Sequence, residues 1–515
     1  MKQSKKLWDD NDWNFDRLNE VTTIIEKIAV EKFGLDCYPN QLEVISSEQM
    51  MDAYTSHGMP VFYFHWSFGK NFTQTENNYR RGRMGLAYEI VINSSPCISY
   101  LMEENTMVMQ TLVIAHAAFG HNSFFKGNYL FKEWTDAEAI IDYLIFAKKY
   151  ITKCEEKYGL EAVEKVLDSC HALQFFGVDR YHKPKRQSKE KELERLHERE
   201  EYRQRSVDDL WKTLPQSKNK DPNGKVYKPF LEEKQENILY FLEKNAPLLK
   251  NWQREIIRIV RKTSQYFYPQ MQTKVMNEGW ASFWHYTLMN ELWEQGFLDD
   301  GHMLEFMHSH TSVLFQPDFD DQRYSGLNPY YLGFSIFMDI KRMCDNPTDE
   351  DKKWFPDITG GDWLTEIKYA MENFKDSSFV LQYLSPKVIR DLKLFVLKDE
   401  EDENYLVTNI QDQDGYIKIR KNLSQQYEIN RSIPDIQITD FAIDGDRTLF
   451  LEHTMIDKIP LDNDSAQETI RHLRRLWGFD IMLESIDEVG DVRDIFESIL
   501  SSDDENIWEF NDIPF

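Results

Sequence analysis

Apolar residues recur at helical spacing over residues 17–33, RLNEVTTIIEKIAVEKF, and this spacing predicts a helix. The stretch MPVFYFHWSFGKNF, beginning at Met59, is too aromatic and too punctuated for a helix and reads as strand and loop. GLAYEIVINSSP reads as a short strand stopped by the turn residues Asn93, Ser94, Ser95 and Pro96. From Glu103 to about Gly120 the chain is apolar on nearly every side, which predicts a buried helix. Further helices are expected over 136–157, 160–176, 236–264, 273–297, 301–313 and 362–374.

Two segments depart from this pattern. Residues 183–235 interleave acids and bases (KPKRQSKEKELERLHEREEYRQR) and then carry Pro, Asn and Gly breakers, so a solvated helix and loop leave the core there. After Ser385-Pro386, DLKLFVLKDE, NYLVTNIQDQDGYIKIR, DIQITDFAI and RTLFLEHT alternate apolar with polar, as half-buried strands do. DSAQETIRHLRRLWGFD then predicts a helix. Ser465 and Glu468 form its capping box, Gly478 sits at its C′ position, and Ile470, Leu473, Leu476 and Trp477 share one face. The expected architecture is a mainly α large domain over 1–385, α+β in class. A small C-terminal α+β domain over 386–500 and an acidic tail over 501–515 follow.

The 515 residues include 33 Phe, 25 Tyr and 13 Trp, enough to build a large core. With 61 basic against 88 acidic residues the formal charge is −27, which argues against a nucleic-acid partner. No apolar run of spanning length occurs and no apolar segment follows the basic start, so neither a membrane span nor a signal peptide is expected. The scattered cysteines 37, 97, 154, 170 and 344 fit a reducing, cytoplasmic setting. Phosphate-loop, dinucleotide and nucleophile-elbow motifs are missing, so no nucleotide cofactor is expected.

The chemistry concentrates in two apolar stretches. AHAAFGHNSFF places His116 and His121 five apart, and MNEGWASFWHY places Glu278 and His285 seven apart. On a regular helix five residues turn about 500°, so the two histidines would diverge by about 140° and could share a metal only if the helix bulges near Gly120. Glu278 and His285 share a face but lie about 10.5 Å apart along it. Neutral imidazoles with a buried carboxylate suit a divalent transition metal, zinc first among them. The bland alternative is a set of core histidines bonded to backbone. Glu305 and His308 make half of a di-iron pattern without its second half. His65 beside Lys70, and the cluster Arg80, Arg81 and Arg83, are weaker anion-site candidates.

Long motifs across about residues 10–485 resemble the SpoVR family, stage V sporulation protein R, in the longer build of its Gram-negative branch. They include YPNQLEVISSEQMMDAY, HWSFGK, AHAAFGHNSFFK, APLLKNWQREIIRIVRKTSQYFYPQ, VMNEGWASFWHY, HSHTSVLFQP, NPYYLGF and RLWGFD. The resemblance implies a role in spore cortex formation, or in stationary phase and stress. It also implies partnership with a PrkA-type serine kinase and a von Willebrand A-like protein, for which Ser188, Ser206 and Ser217 would be exposed phosphorylation sites. A shorter likeness links NEGWASF to the N-E-G-x-A segment of gluzincin metallopeptidases, in which the Glu is a zinc ligand. HAAFGH is similar to their H-E-F-G-H with one residue inserted and Ala118 in the general-base position. That likeness would make the large domain zincin-like, with metal ligands His116, His121 and Glu278. Glu103, Glu104 or Glu89 would replace the missing base, and His285 would orient or protonate the leaving group. Two readings follow: a regulatory subunit of the kinase system, or a metal-dependent amidase or peptidase.

Overall fold

The computed structural model describes residues 6–56, 59, 61–67, 70, 89–180, 233–399, 405–409, 412–442 and 447–498. Arg80, Arg81, Arg83, nearly all of the charged stretch 183–235 with its three serines, and the tail 501–515 lie outside the described residues. The molecule is mainly helical, with two small mixed sheets and one hairpin, and its C-terminal end is a small α+β unit. No helix among the described residues is long and apolar enough to cross a membrane.

The first sheet has the order β1-β3-β2. β1 (Asn40–Ile45) runs parallel to β3 (Cys97–Met102), and β2 (Glu89–Ile92) runs antiparallel to it with Glu89 opposite Leu101. β3 is central and buried along most of its length, so it carries no alternation that would mark it in the sequence. The helix expected from Glu103 starts later, at Met107. Glu103 N–H still bonds Ile45 C=O and so belongs to the sheet, while Thr106 caps the helix by accepting from Met109 N–H. After Val113 the helix widens into a π-helical segment, Ile114–His121, buried throughout, and then tightens again over Asn122–Gly127.

The central helix, Lys274–Glu294, is buried on most of its circumference, as its apolar makeup requires. Asp376 caps its start by accepting from the N–H groups of Val275 and Met276, each at 2.8 Å. It packs against the π segment on one side and the helix Pro329–Asp345 on the other. Both contacts need glycine. A methyl on Gly120 would lie 2.7 Å from Ala281 Cα, and one on Gly279 would lie 2.4 Å from the backbone of Gly333.

The hydrophobic interior forms two main clusters. One gathers the N-terminal helix, the π segment, the central helix and the helices of 329–391, and it includes Tyr416 and Ile419. The other joins the helices of 140–172 and 238–266 to a second sheet, built from residues 435–498. That sheet runs β6 (Asp435–Phe441), β7 (Leu449–Thr454), β8 (Ile481–Ile486), β9 (Val492–Ser498), after a hairpin of β4 (Val396–Asp399) and β5 (Tyr405–Asn409). β7 and β8 are parallel, joined by the helix Asn463–Trp477, whose Ile470, Leu473, Leu476 and Trp477 are buried together.

Three local expectations change. The helix cap is Asp462, which accepts from Ser465 N–H, rather than Ser465; Gly478 does end the helix, at φ 91°. DQDGYIKIR is not a strand: Asp412 caps a helix over Gln413–Gln426, with Tyr416 and Ile419 on its buried face and Ile417 exposed. The helix expected over 236–264 is two, Ile238–Asn245 and Asn251–Gln272, separated at Pro247.

Candidate metal centre

The π segment settles the spacing problem. Its wider turn brings His116 and His121 onto one side with ring centroids 4.7 Å apart. Glu278, on the facing turn of the central helix, puts Oε2 3.5 Å from His121 Nε2 and 3.9 Å from His116 Nε2. A fourth group arrives from β2. Glu89 Oε1 lies 3.1 Å from His116 Nε2 and 3.9 Å from His121 Nε2. Glu89, His116 and His121 offer donor atoms that all lie within 4.8 Å of one another.

His121 Nδ1 meets Asn277 Oδ1 at 2.8 Å, so its proton sits on Nδ1 and its Nε2 presents a lone pair to the carboxylates. Glu89 Oε2 and Glu278 Oε2 are both buried without a hydrogen-bond partner. Burial, and then the Glu278 charge, push the Glu89 carboxyl well above its ordinary range. Burial also works to raise Glu278. His116, His121 and the Tyr330 hydroxyl outweigh it and hold Glu278 below its ordinary range. Burial pushes His116 down to about 4. The Glu278 charge and then burial drive the Tyr330 phenol well upward, and its ring stacks on His116 at 6.4 Å.

The imidazole nitrogens and carboxylate oxygens gathered here are of metal-ligand type. Donors about 2.0–2.2 Å from a tetrahedral zinc stand roughly 3.4 Å from one another; the four imidazole-to-carboxylate separations, 3.1, 3.5, 3.9 and 3.9 Å, lie around that value, while the set whose donor atoms all fall within 4.8 Å of one another is Glu89, His116 and His121. The residues fit a divalent ion.

His285 lies behind this cluster. Its Nδ1 meets His116 Nδ1 at 2.7 Å and its Nε2 meets His310 Nδ1 at 2.7 Å. Both of its nitrogens are taken, so it orients His116 and is not aimed at a leaving group. Burial holds His285 well below its usual range and His310 down at about 4. Glu103 and Glu104 do not join the cluster. Both are exposed on the turn after β3, where Glu104 accepts from Ser47 N–H, and Glu89 is the acid that reaches the histidines. Glu89 starts β2 with the cluster on one side, and an acid inside the apolar run LAYEIVI was the available signal for it. Glu305 is engaged with Thr106 and Asn11, and His308 is exposed, so E-x-x-H is no site. His65 pairs with Asp168 at 3.0 Å rather than serving an anion.

The fold and cluster define a mainly helical protein in which two buried histidines and two half-buried carboxylates of metal-ligand type converge. Residues 12–432 match the family described as SpoVR like protein, and residues 434–488 match the SpoVR-like C-terminal domain. The chain belongs to the SpoVR family. It is 55% identical over 492 residues to the uncharacterized protein YcgB of Escherichia coli (strain K12), covering 95% of this chain and 96% of that protein. No solved structure matches the chain.

Proposed function

We propose that this SpoVR-family protein is a metal-dependent hydrolase of amide bonds in peptide or cell-wall precursor material. His116, His121 and Glu278 would hold a divalent ion, zinc first, and Glu89 would serve as the proton carrier that Ala118 cannot be. The observation that carries this reading is the convergence of His116 Nε2 and His121 Nε2 on the Glu89 and Glu278 carboxylates, each of which keeps a buried oxygen, Oε2, without a hydrogen-bond partner among the described residues. When bound, such an ion polarises a carbonyl and lowers the pKa of water. Glu89, with its proton affinity raised by burial, takes a proton at its carboxylate and returns it to the departing amine. Tyr330, whose hydroxyl donates to Glu278 at the edge of the cluster, would hold that carboxylate in position for the ion. His285 holds His116 in position through Nδ1.

The test separates ligand from base. Zinc-loaded protein is incubated with peptides and peptidoglycan stem peptides, and new amino groups are counted. Glu89→Gln should keep the metal and lose turnover by about 10²–10⁴-fold. Full turnover in that variant would refute the assignment. Loss of the metal would make Glu89 a fourth ligand in a closed, structural centre.

A further inference from the structure

His116, His285 and His310 form an unbroken chain of rings that the proposed chemistry leaves unused beyond its first link. Two imidazole nitrogens facing each other at 2.7 Å share one proton, which one donates and the other accepts. All three residues are buried, at 3%, 1% and 3% exposure, so each ring is neutral and carries one proton. Three protons must therefore fill two gaps and one end, and only two arrangements do so. In the first, His116 holds its proton on Nε2 toward Glu89 Oε1, 3.1 Å away, while His285 and His310 hold theirs on Nδ1. His310 Nε2 is then a bare acceptor. In the second, His116 carries its proton on Nδ1 and the other two on Nε2, so His310 Nε2 is a donor.

His310 is also one of the residues lining a groove of about 430 Å³, with Tyr286, Met307, Leu314, Phe334 and Met338. His310 Nε2 has no hydrogen-bond partner among the described residues. A cation on His116 Nε2 admits only the second arrangement, because that nitrogen must offer its lone pair.

We infer that the His116–His285–His310 chain is a polarity switch: filling the metal centre turns His310 Nε2 from acceptor into donor toward the groove. The inference rests on the metal reading of the cluster. The proton balance is exact in number. The His116 Nε2 proton leaves to solvent as the ion enters. The His285 Nδ1 proton crosses to His116 Nδ1, the His310 Nδ1 proton crosses to His285 Nε2, and His310 Nε2 takes one from water in the groove. A groove ligand presenting a carbonyl then binds the loaded protein in preference to the empty one, and metal and ligand strengthen each other reciprocally.

The test uses the full chain with ¹⁵N-labelled histidine, titrated with zinc, plus two variants. His285 and His310 should exchange which nitrogen carries hydrogen as zinc fills the site; unchanged tautomers with zinc bound would overturn the switch. His310→Phe keeps a ring but leaves His285 Nε2–H without an acceptor, and zinc affinity should fall about 10–100-fold. His310→Asn restores an acceptor oxygen and should recover the affinity. Should His310→Phe fail to fold, the tautomer readout on the unaltered chain still decides. Equal zinc affinity in all three proteins would overturn the switch and leave the centre standing, whereas no zinc bound by the unaltered chain would overturn the centre itself.

Discussion

Gly279→Ala is a one-methyl change next to Glu278 that tests whether the packing of two helices sets the geometry of the cluster. The added methyl would lie 2.4 Å from Gly333 C and Cα and 2.8 Å from Phe334 N. All three are backbone atoms, so no side chain can swing aside. Ordinary contact begins at 3.4 Å, so the central helix and the helix Pro329–Asp345 must part by about 1 Å. Overpacking of this kind costs about 1–3 kcal/mol. Glu278 rides on one of these helices and its hydroxyl partner Tyr330 on the other, so the separation also strains a hydrogen bond to a charged group, worth about 1.5–3 kcal/mol. A shift of about 1 Å is half of a 2.0–2.2 Å ligand bond, and zinc affinity should fall more than about tenfold. Urea unfolding and zinc competition against a chelator read the two effects. Gly301→Ala, where the nearest atom is the Asp299 side chain at 3.3 Å, serves as the control. A Gly279→Ala protein as stable as the unaltered chain, and equal to it in zinc affinity, would refute the reasoning.

Asp376→Asn probes the cap of the central helix. Burial raises the Asp376 carboxyl from 3.8 to about 7 in spite of the N–H groups it accepts from, so its stabilising contribution is complete below about pH 4 and is lost as pH rises through 7. In chelator, the unaltered chain should lose up to about 1.4 kcal/mol per pH unit between pH 4 and 7 relative to the variant, by urea unfolding; a parallel pH dependence in the two proteins would contradict this. Limited proteolysis should cut first within 183–235, where the sequence is charged and broken by Pro and Gly, and should spare 114–121, where every residue is buried. Early cleavage inside the π segment would contradict the packing described.

Much of the helical framework was legible because strong periodicity survives burial: 273–297 was expected and Lys274–Glu294 formed, and 362–374 became Trp363–Asn373. The Pro329–Asp345 helix was passed over, although it supplies Tyr330 and the Gly333 contact. Its meaning lies in a long-range approach to Gly279 that no local pattern encodes. β3 shows no alternation because it is a buried central strand, and β1, the partly buried edge strand beside it, shows none either. At the centre, His116, His121 and Glu278 could be named from residue chemistry, and the five-residue spacing already required the widened turn that Ile114–His121 forms. Glu89 stood only among three alternative acids. The pairing of β2 with β3 carries it to the histidines, while Glu103 and Glu104, past the end of β3, stay in solvent. His310 carries no spacing signal, because two residues from His308 it cannot share a helical face with it, and its contact with His285 depends on how two helices pack.

Whether His116, His121 and Glu278 hold one divalent ion beside Glu89 is decided by metal analysis of the purified chain by mass spectrometry, with zinc titration after chelator treatment. One ion per unaltered chain is expected. Glu278→Gln, whose amide keeps the shape and removes the charge, should lose most of that ion with the helical circular-dichroism spectrum retained. A chain that takes up no zinc, manganese, cobalt or iron, or a Glu278→Gln variant that binds as well as the unaltered chain, would contradict it.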